Sequence, residues 1–299
     1  MFVRLGIKIR KSEKFGDERE KKMRCARPIF LIVIPSCILT LLTDQGRQPF
    51  VDELSIFLGW TYFMCWSVSF YPQVLLNHER KSVRGLSLDF QVHVLNFLGF
   101  LCYSIYNICK YVTEREESGV AINDIFFSVH ALLLTTVCGV QCVLYRATAR
   151  QRIAVVTRAF VLLATLGAVI IGILVPVSST SSIWTVANLL AYLGSIKLAV
   201  TLVKYIPQAW LNYSRQSTEG WTIWNVLLDL SGGVLALAQM GLDAARLGNW
   251  HLLVDNPVKL GLSLVSIGFD VLFMCQHYVL YANTSEATKE HKEWLMHDV

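Results

Sequence analysis

The sequence predicts an all-α polytopic membrane protein: seven transmembrane helices forming two parallel three-helix bundles, spans 1–3 and 5–7, joined by span 4. Three observations predict it. First, the 299 residues are 54% hydrophobic and only 16% charged, with a mean hydropathy of +0.47. A soluble domain carries about 25% charge, so this chain cannot coat a globule of its size. Disordered, soluble-enzyme and disulfide-stapled secreted classes are excluded on that ground. Second, seven stretches approach the roughly 20 apolar residues that cross a bilayer: 54–76, 86–109, 123–145, 153–175, 183–206, 221–243 and 258–281. Third, the chain repeats itself at an offset of 135 residues.

Ahead of the first span, residues 1–27 form a basic tail holding ten Lys/Arg against four Asp/Glu. The rest of the chain holds 17 against 18, so the formal net charge of +5 resides in the tail and marks no nucleic-acid surface. Pro28–Leu42 is apolar but only 15 residues long and contains Pro35. It reads as a signal-peptide-like segment or as an anchor. Short loops orient the spans. One side holds Arg80, Lys81, Arg84, Arg146, Arg150, Arg152, Arg215, Lys289 and Lys292. The other holds only Lys110, Arg115, Arg246 and Lys259. The richer side is expected in the cytosol, which puts the start of span 1 in a lumen or outside and the tail 282–299 in the cytosol.

The repeat aligns FYPQVLLNHERKSVRGLSL (70–88) with YIPQAWLNYSRQSTEGWTI (205–223), and seven of 19 positions are identical. About one identity would arise by chance at ordinary residue frequencies. Both copies end a span on the same side, so the repeats run parallel, a known transporter plan. The bundles are then 54–145 and 183–281, with 153–175 as the linker helix that returns the chain to the starting side. Pro72-Gln73 and Pro207-Gln208 stand in register. A proline in a span removes a backbone hydrogen bond and kinks the helix. These pairs form either a hinge in each half or a static kink, and their recurrence favours the hinge.

Charge inside a bilayer costs about 2.5–3.5 kcal/mol per residue even on lenient scales. Lys197 and Lys204 in span 5, Asp229 in span 6, Asp270 in span 7 and His130 in span 3 stand out on that ground. Asp229 either pairs permanently with a lysine or titrates. Asp270 has no lysine in its own stretch, which eases its protonation. His130 reads more simply as a satisfied core histidine than as a relay. Asp124, and Asp89 at the start of span 2, suit a helix N-terminus. Two lysines with Asn96, Gln208 and Asn225 suit carboxylates, and Asp229 suits an ammonium. Trp66 and Phe70, four apart, either line span 1's inner face or simply pack. GxxxxGK, HExxH and a buried Ser-His-Asp pattern are missing from the sequence, and no metal, cofactor or enzymatic role is expected.

The paired YPQ and IPQ segments resemble the PQ-loop family. KYIPQAWLNYSRQSTEGWTIWNVLLDLSGG (204–233), NDIFFSVHA (123–131) and SIGFDVLFMCQHYVLY (266–281) are similar to its proton-driven cystine exporters of lysosomes, over about 54–281. The resemblance implies symport of L-cystine and protons from a lysosomal or vacuolar lumen to the cytosol. It places Asn96, Lys197, Lys204, Asn225 and Asp229 at the substrate, and Asp124, Asp229 and Asp270 in proton coupling. The tail ANTSEATKEHKEWLMHDV differs from the tyrosine-based sorting signal of animal members, and a long glycosylated lumenal N-terminal region is not recognisable. The alternatives are a transporter of another amino acid on the same fold and a seven-span sorting receptor. The two lysines speak against a cationic solute, and the intramembrane acids against a sugar facilitator.

Overall fold

A computed structural model describes residues 31–42, 50–81, 87–114, 118–145, 155–177, 183–218 and 223–282. The basic tail 1–27, the C-terminal tail and Asp89's side chain lie outside the described residues. Among the described residues ten helices follow one another: α1 (Leu31–Leu42), α2 (Phe50–Val68), α3 (Tyr71–Arg80), α4 (Ser87–Glu114), α5 (Ile122–Leu144), α6 (Val155–Val177), α7 (Val186–Arg215), α8 (Ile223–Arg246), α9 (Leu252–Asp255) and α10 (Pro257–Cys275). A single π turn, Gln276–Leu280, continues α10. Among the described residues there is no strand. Among the described residues five helices are long and apolar enough to cross a membrane: α5, α6, α7, α8 and α10 with its π turn. α2 and α4 occupy the places expected of spans 1 and 2.

Packing repeats as the sequence does. α5 lies against both α2 and α4, and α10 lies against both α7 and α8. The halves then exchange contacts, α2 against α8 and α4 against α7. Each contact has its counterpart 135 residues on. The match extends to single atoms. Asn77 donates to Gln141 Oε1 at 3.1 Å, and Gln141 Nε2 donates to the Val74 carbonyl at 3.0 Å. At the same offset Asn212 donates to Gln276 Oε1 at 2.9 Å, and Gln276 donates to the Ala209 carbonyl at 3.1 Å. Lys81 (φ 45°) and Gln216 (φ 49°) end the helices in the left-handed conformation at matching positions.

Close approach of helices depends on small residues, because lipid is as apolar as a leucine side chain and gives no hydrophobic drive between spans. Gly59 is such a residue. A Cβ there would sit 2.7 Å from Asn123 Oδ1 on α5, and its counterpart Gly194 would meet Val258 on α10 at 2.3 Å. α6 packs on α7 and α4. Tyr192 ties it down by donating to the Ala164 carbonyl at 3.2 Å.

The two proline segments differ. The first expected span does not run unbroken over 54–76: α2 stops at Val68 and a new helix begins at Tyr71 with Pro72 in its first turn. Proline suits that position, where its missing N–H leaves no intrahelical bond unmade. α7 instead runs continuously through position 207. The expected matching kinks are therefore a break in one half and an unbroken helix in the other.

Candidate functional site

A cavity of about 70 Å³ lies where the two halves meet. α2 and the turn after it supply Trp66, Ser69 and Phe70, and α4 supplies Asn96 and Phe100. α7 contributes Lys197, Thr201, Lys204 and Tyr205, spaced so that one helical face looks inward. Asp229 enters from α8, Phe127 from α5, and Leu262 and Ser266 from α10. Trp66 and Phe70 thus line the cavity and pack as well. Trp66 donates to the Asp229 carbonyl at 3.1 Å, and Phe70 meets Phe100 edge-on at 5.5 Å. At roughly 10–15 Å³ per water, the space holds about five waters.

The lysines carry the cavity's positive charge. Lys197 is 5% exposed, with its Nζ 3.5 Å above the Phe100 ring. Lys204 reaches over Tyr205 at 4.7 Å. Among the described residues neither lies within ion-pair distance of an acid, so the permanent pair with Asp229 does not form. Lys197 is buried without an acid partner, a costly condition for a charge, and Lys204 lines the same cavity from an exposed position.

The acids form a different group. Tyr205 donates its hydroxyl to Asp229. Ser266 stands 2.9 Å from Asp229 Oδ1 and 3.0 Å from Asp270 Oδ2. A serine hydroxyl has one proton to give. Both contacts are hydrogen bonds only if one of the two carboxyl groups carries a proton of its own. Asp270, 1% exposed, joins the site through this bridge and does not face the cavity directly. Tyr205 and Ser266 gave no sequence signal except that Ser266 lies four residues before Asp270.

Asp124 sits elsewhere, at the start of α5. Its Oδ2 accepts the Ala121 N–H at 2.8 Å, the helix-start role its position suggests. Its Oδ1 pairs with Lys259 at 2.8 Å, with side-chain exposures of 0% and 2%, and accepts from Tyr62. Lys259 also donates to Gln239 at 2.8 Å. Positions 124 and 259 are themselves 135 apart, so the pair joins equivalent points of the two halves. Lys259 is therefore no loop cation, and the poorer side of the charge tally loses it. On α2, α5, α8 and α10 this buried polar layer separates the cavity from a vestibule of about 770 Å³, lined in part by Asp243, Arg246 and Lys259.

Other expected residues fall outside the cavity. Asn225 is exposed and absent from the cavity wall. His130 Nε2 meets the Tyr71 hydroxyl at 2.9 Å, away from the cavity. Gln208 donates to Asn212 at 2.8 Å, while the side chains of Gln73 and Pro207 lie outside the described residues. Among the described residues no cluster of His, Cys, Asp and Glu could hold a metal.

A PQ-loop repeat model matches 54–114 and 189–246, the first two helices of each half. A cystinosin homolog of Dictyostelium discoideum is 42% identical over 244 residues, which cover 77% of this chain and 82% of that one. The cystinosin of Bos taurus is 46% identical over 242 residues, 77% of this chain and 64% of that one. The chain thus spans less than two thirds of the bovine protein. A cystine transporter of Saccharomyces cerevisiae is 28% identical over 260 residues, 80% of this chain and 98% of that one. Paired PQ segments, duplicated packing and these relatives give one conclusion: the chain belongs to the cystinosin family.

Proposed function

We propose that the protein is a proton-coupled symporter that exports L-cystine from a lysosomal or vacuolar lumen to the cytosol. The observation that carries the reading is the pair of cavity lysines, Lys197 and Lys204, without acid partners and with Asp229 beside them. Cystine offers the complement: two carboxylates for the two ammonium groups, and an α-ammonium for Asp229. Trp66, Phe70 and Phe100 present ring faces and edges to the disulfide-bearing middle of the solute. The yeast relative's name as a cystine transporter supports the same solute. Asn96 on the cavity wall adds a carboxamide, and Asn225 serves the solute once α8 has turned.

The reading takes seven spans, with α2–α3 and α4 crossing the bilayer as the counterparts of α7 and α8. The vestibule then faces the lumen, and the Arg- and Lys-rich loops and the C-terminus face the cytosol. Residues 1–27 and 28–42 precede the first three-helix bundle. The cavity in this conformation is far smaller than the ~300 Å³ of ordinary ligand pockets, so cystine enters only when the halves part. The Pro72-Gln73 and Pro207-Gln208 segments are where they bend.

Coupling rests on the shared proton. With a proton on the Asp229–Ser266–Asp270 group, the two carboxyl groups coexist and Asp229 can hold an ammonium. Loss of that proton to the cytosol leaves two like charges about one serine apart, which disfavours the loaded state. Asp124, paired with Lys259, is the further acid of this reading. Each pH unit is worth about 1.36 kcal/mol per proton. The test is uptake of labelled cystine by proteoliposomes holding the purified protein. Unlabelled cystine should compete, and arginine and glucose should not. Absence of cystine flux from folded protein would overturn the proposal.

A further inference from the structure

One face of α10 carries Lys259, Ser263, Ser266 and Asp270, spaced by four, three and four residues, so that they stand in a single row. All four are buried, at 2%, 0%, 3% and 1% exposure. The row joins two separate spaces. Lys259 lines the vestibule, and Ser266 lines the central cavity. They stand about 10 Å apart along the helix. Between them Ser263 Oγ is buried and has no hydrogen-bond partner. A hydroxyl in that condition is costly unless something completes it. Opposite, α8 presents the buried Gly233. Its backbone comes close there, since a Cβ on Gly233 would lie 3.3 Å from the Ser263 carbonyl oxygen. A glycine brings no side-chain group that could satisfy Ser263.

We propose that this face of α10 is the proton route from the vestibule to the paired acids, with Ser263 holding the water that bridges it. A proton leaves vestibule water and moves through the water on Ser263 Oγ to the Ser266 hydroxyl. It ends on the Asp229–Asp270 pair, which Ser266 already touches. Each hop forms one O–H bond and breaks another, and both serines finish as they began. The inference rests on the symport reading above and adds to it the path.

The charges along the way suit the traffic. At the vestibule end Lys259 is neutralised by Asp124 from α5, with the Tyr62 hydroxyl of α2 on the same carboxylate. Asp243 of α8 stands on the vestibule wall, and α9 places Asp255 just before α10. At the cavity end Asp229 faces the row from α8 and Tyr205 from α7. The α7 lysines Lys197 and Lys204 line the same cavity as Asp229 and Ser266. Beyond Asp270 the row meets the buried ring of Phe273, which closes the route on that side.

Two substitutions test this. Ser263→Ala removes the hydroxyl that holds the bridging water and leaves a methyl group in its place. Ser263→Gly removes the Cβ as well and opens room for a water in place of the hydroxyl. In proteoliposomes with an imposed pH gradient, Ser263→Ala should lower the maximal rate of cystine uptake about tenfold. Its half-saturation concentration should stay unchanged, and its rate should fall further in D₂O than that of the unmodified protein. Ser263→Gly should stay within about twofold of the unmodified protein. Glycine is the poorer helix former, so a purely structural role predicts the opposite order. An unmodified rate in Ser263→Ala, or greater loss in Ser263→Gly than in Ser263→Ala, overturns the path. If the unmodified protein itself ignores the pH gradient, the symport reading falls and the path with it.

Discussion

Ser266 has one hydroxyl proton and two carboxylate neighbours. In the proposed coupling, that single shortage makes Asp229 and Asp270 a unit that shares a proton. Asp229→Asn keeps the shape but ends the exchange of that proton. Its uptake should lose all response to a pH gradient, measured as initial rates at matched protein density. Lys204→Ala removes one of the two cations with no acid partner. A charged hydrogen bond is worth about 1.5–3 kcal/mol, so the half-saturation concentration for cystine should rise at least tenfold, read from uptake against concentration. The four charges Lys197, Lys204, Asp229 and Asp270 were legible from sequence because charge is rare and expensive at bilayer depth. Tyr205 and Ser266 were not, since a tyrosine or serine in a span costs little and occurs for many reasons. Asn225 shows a different limit. Four residues advance a helix by slightly more than a full turn, so spacing from Asp229 tells which residues share a side but not how far round the cavity extends. Lys259 was misread as a loop cation because it lies just after Pro257, at the first turn of α10, where sequence cannot separate a helix start from a loop end.

At the scale of elements, the PQ segments show how one motif takes two forms. Pro72 opens a new helix after a break, and position 207 lies within an unbroken α7. What the halves truly share is the carboxamide pair that follows. Gln141 and Gln276 each accept from an asparagine and donate to a main-chain carbonyl of the PQ helix. The repeat exposed Asn77 and Asn212 in the sequence. Gln141 and Gln276 lie a whole helix away from them, beyond the reach of a local pattern. Gln276→Leu should break both bonds of the second clamp and leave buried polar groups unpaired. A loss of about 1–3 kcal/mol is expected, measured by thermal unfolding in detergent. An unchanged transition would show that the clamp contributes nothing to holding α10 on α7.

At the scale of the whole molecule, two similar halves meet along a cavity and are joined at one end by the ion pair Asp124–Lys259. Removing one member of a buried pair typically costs about 3–5 kcal/mol, because the other charge is left alone in a dry place. Lys259→Met should therefore destabilise the protein strongly, and Asp124→Asn in the same chain should recover most of the loss, read as melting temperatures of the single and double variants. Equal melting of Lys259→Met and the unmodified protein would contradict the pairing. The two-half plan was legible from the 135-residue offset. The exchange of partners, α2 with α8 and α4 with α7, was not, because nothing in a sequence states which helix faces which. The claim on which the rest depends is that proton movement drives cystine movement. It is tested most directly by labelled cystine accumulation in proteoliposomes with the membrane potential clamped and the protein's vestibule side made two pH units more acidic than the other. One coupled proton predicts accumulation toward roughly 100-fold against the cystine gradient. Cystine that merely equilibrates, at a rate indifferent to the gradient, would contradict it.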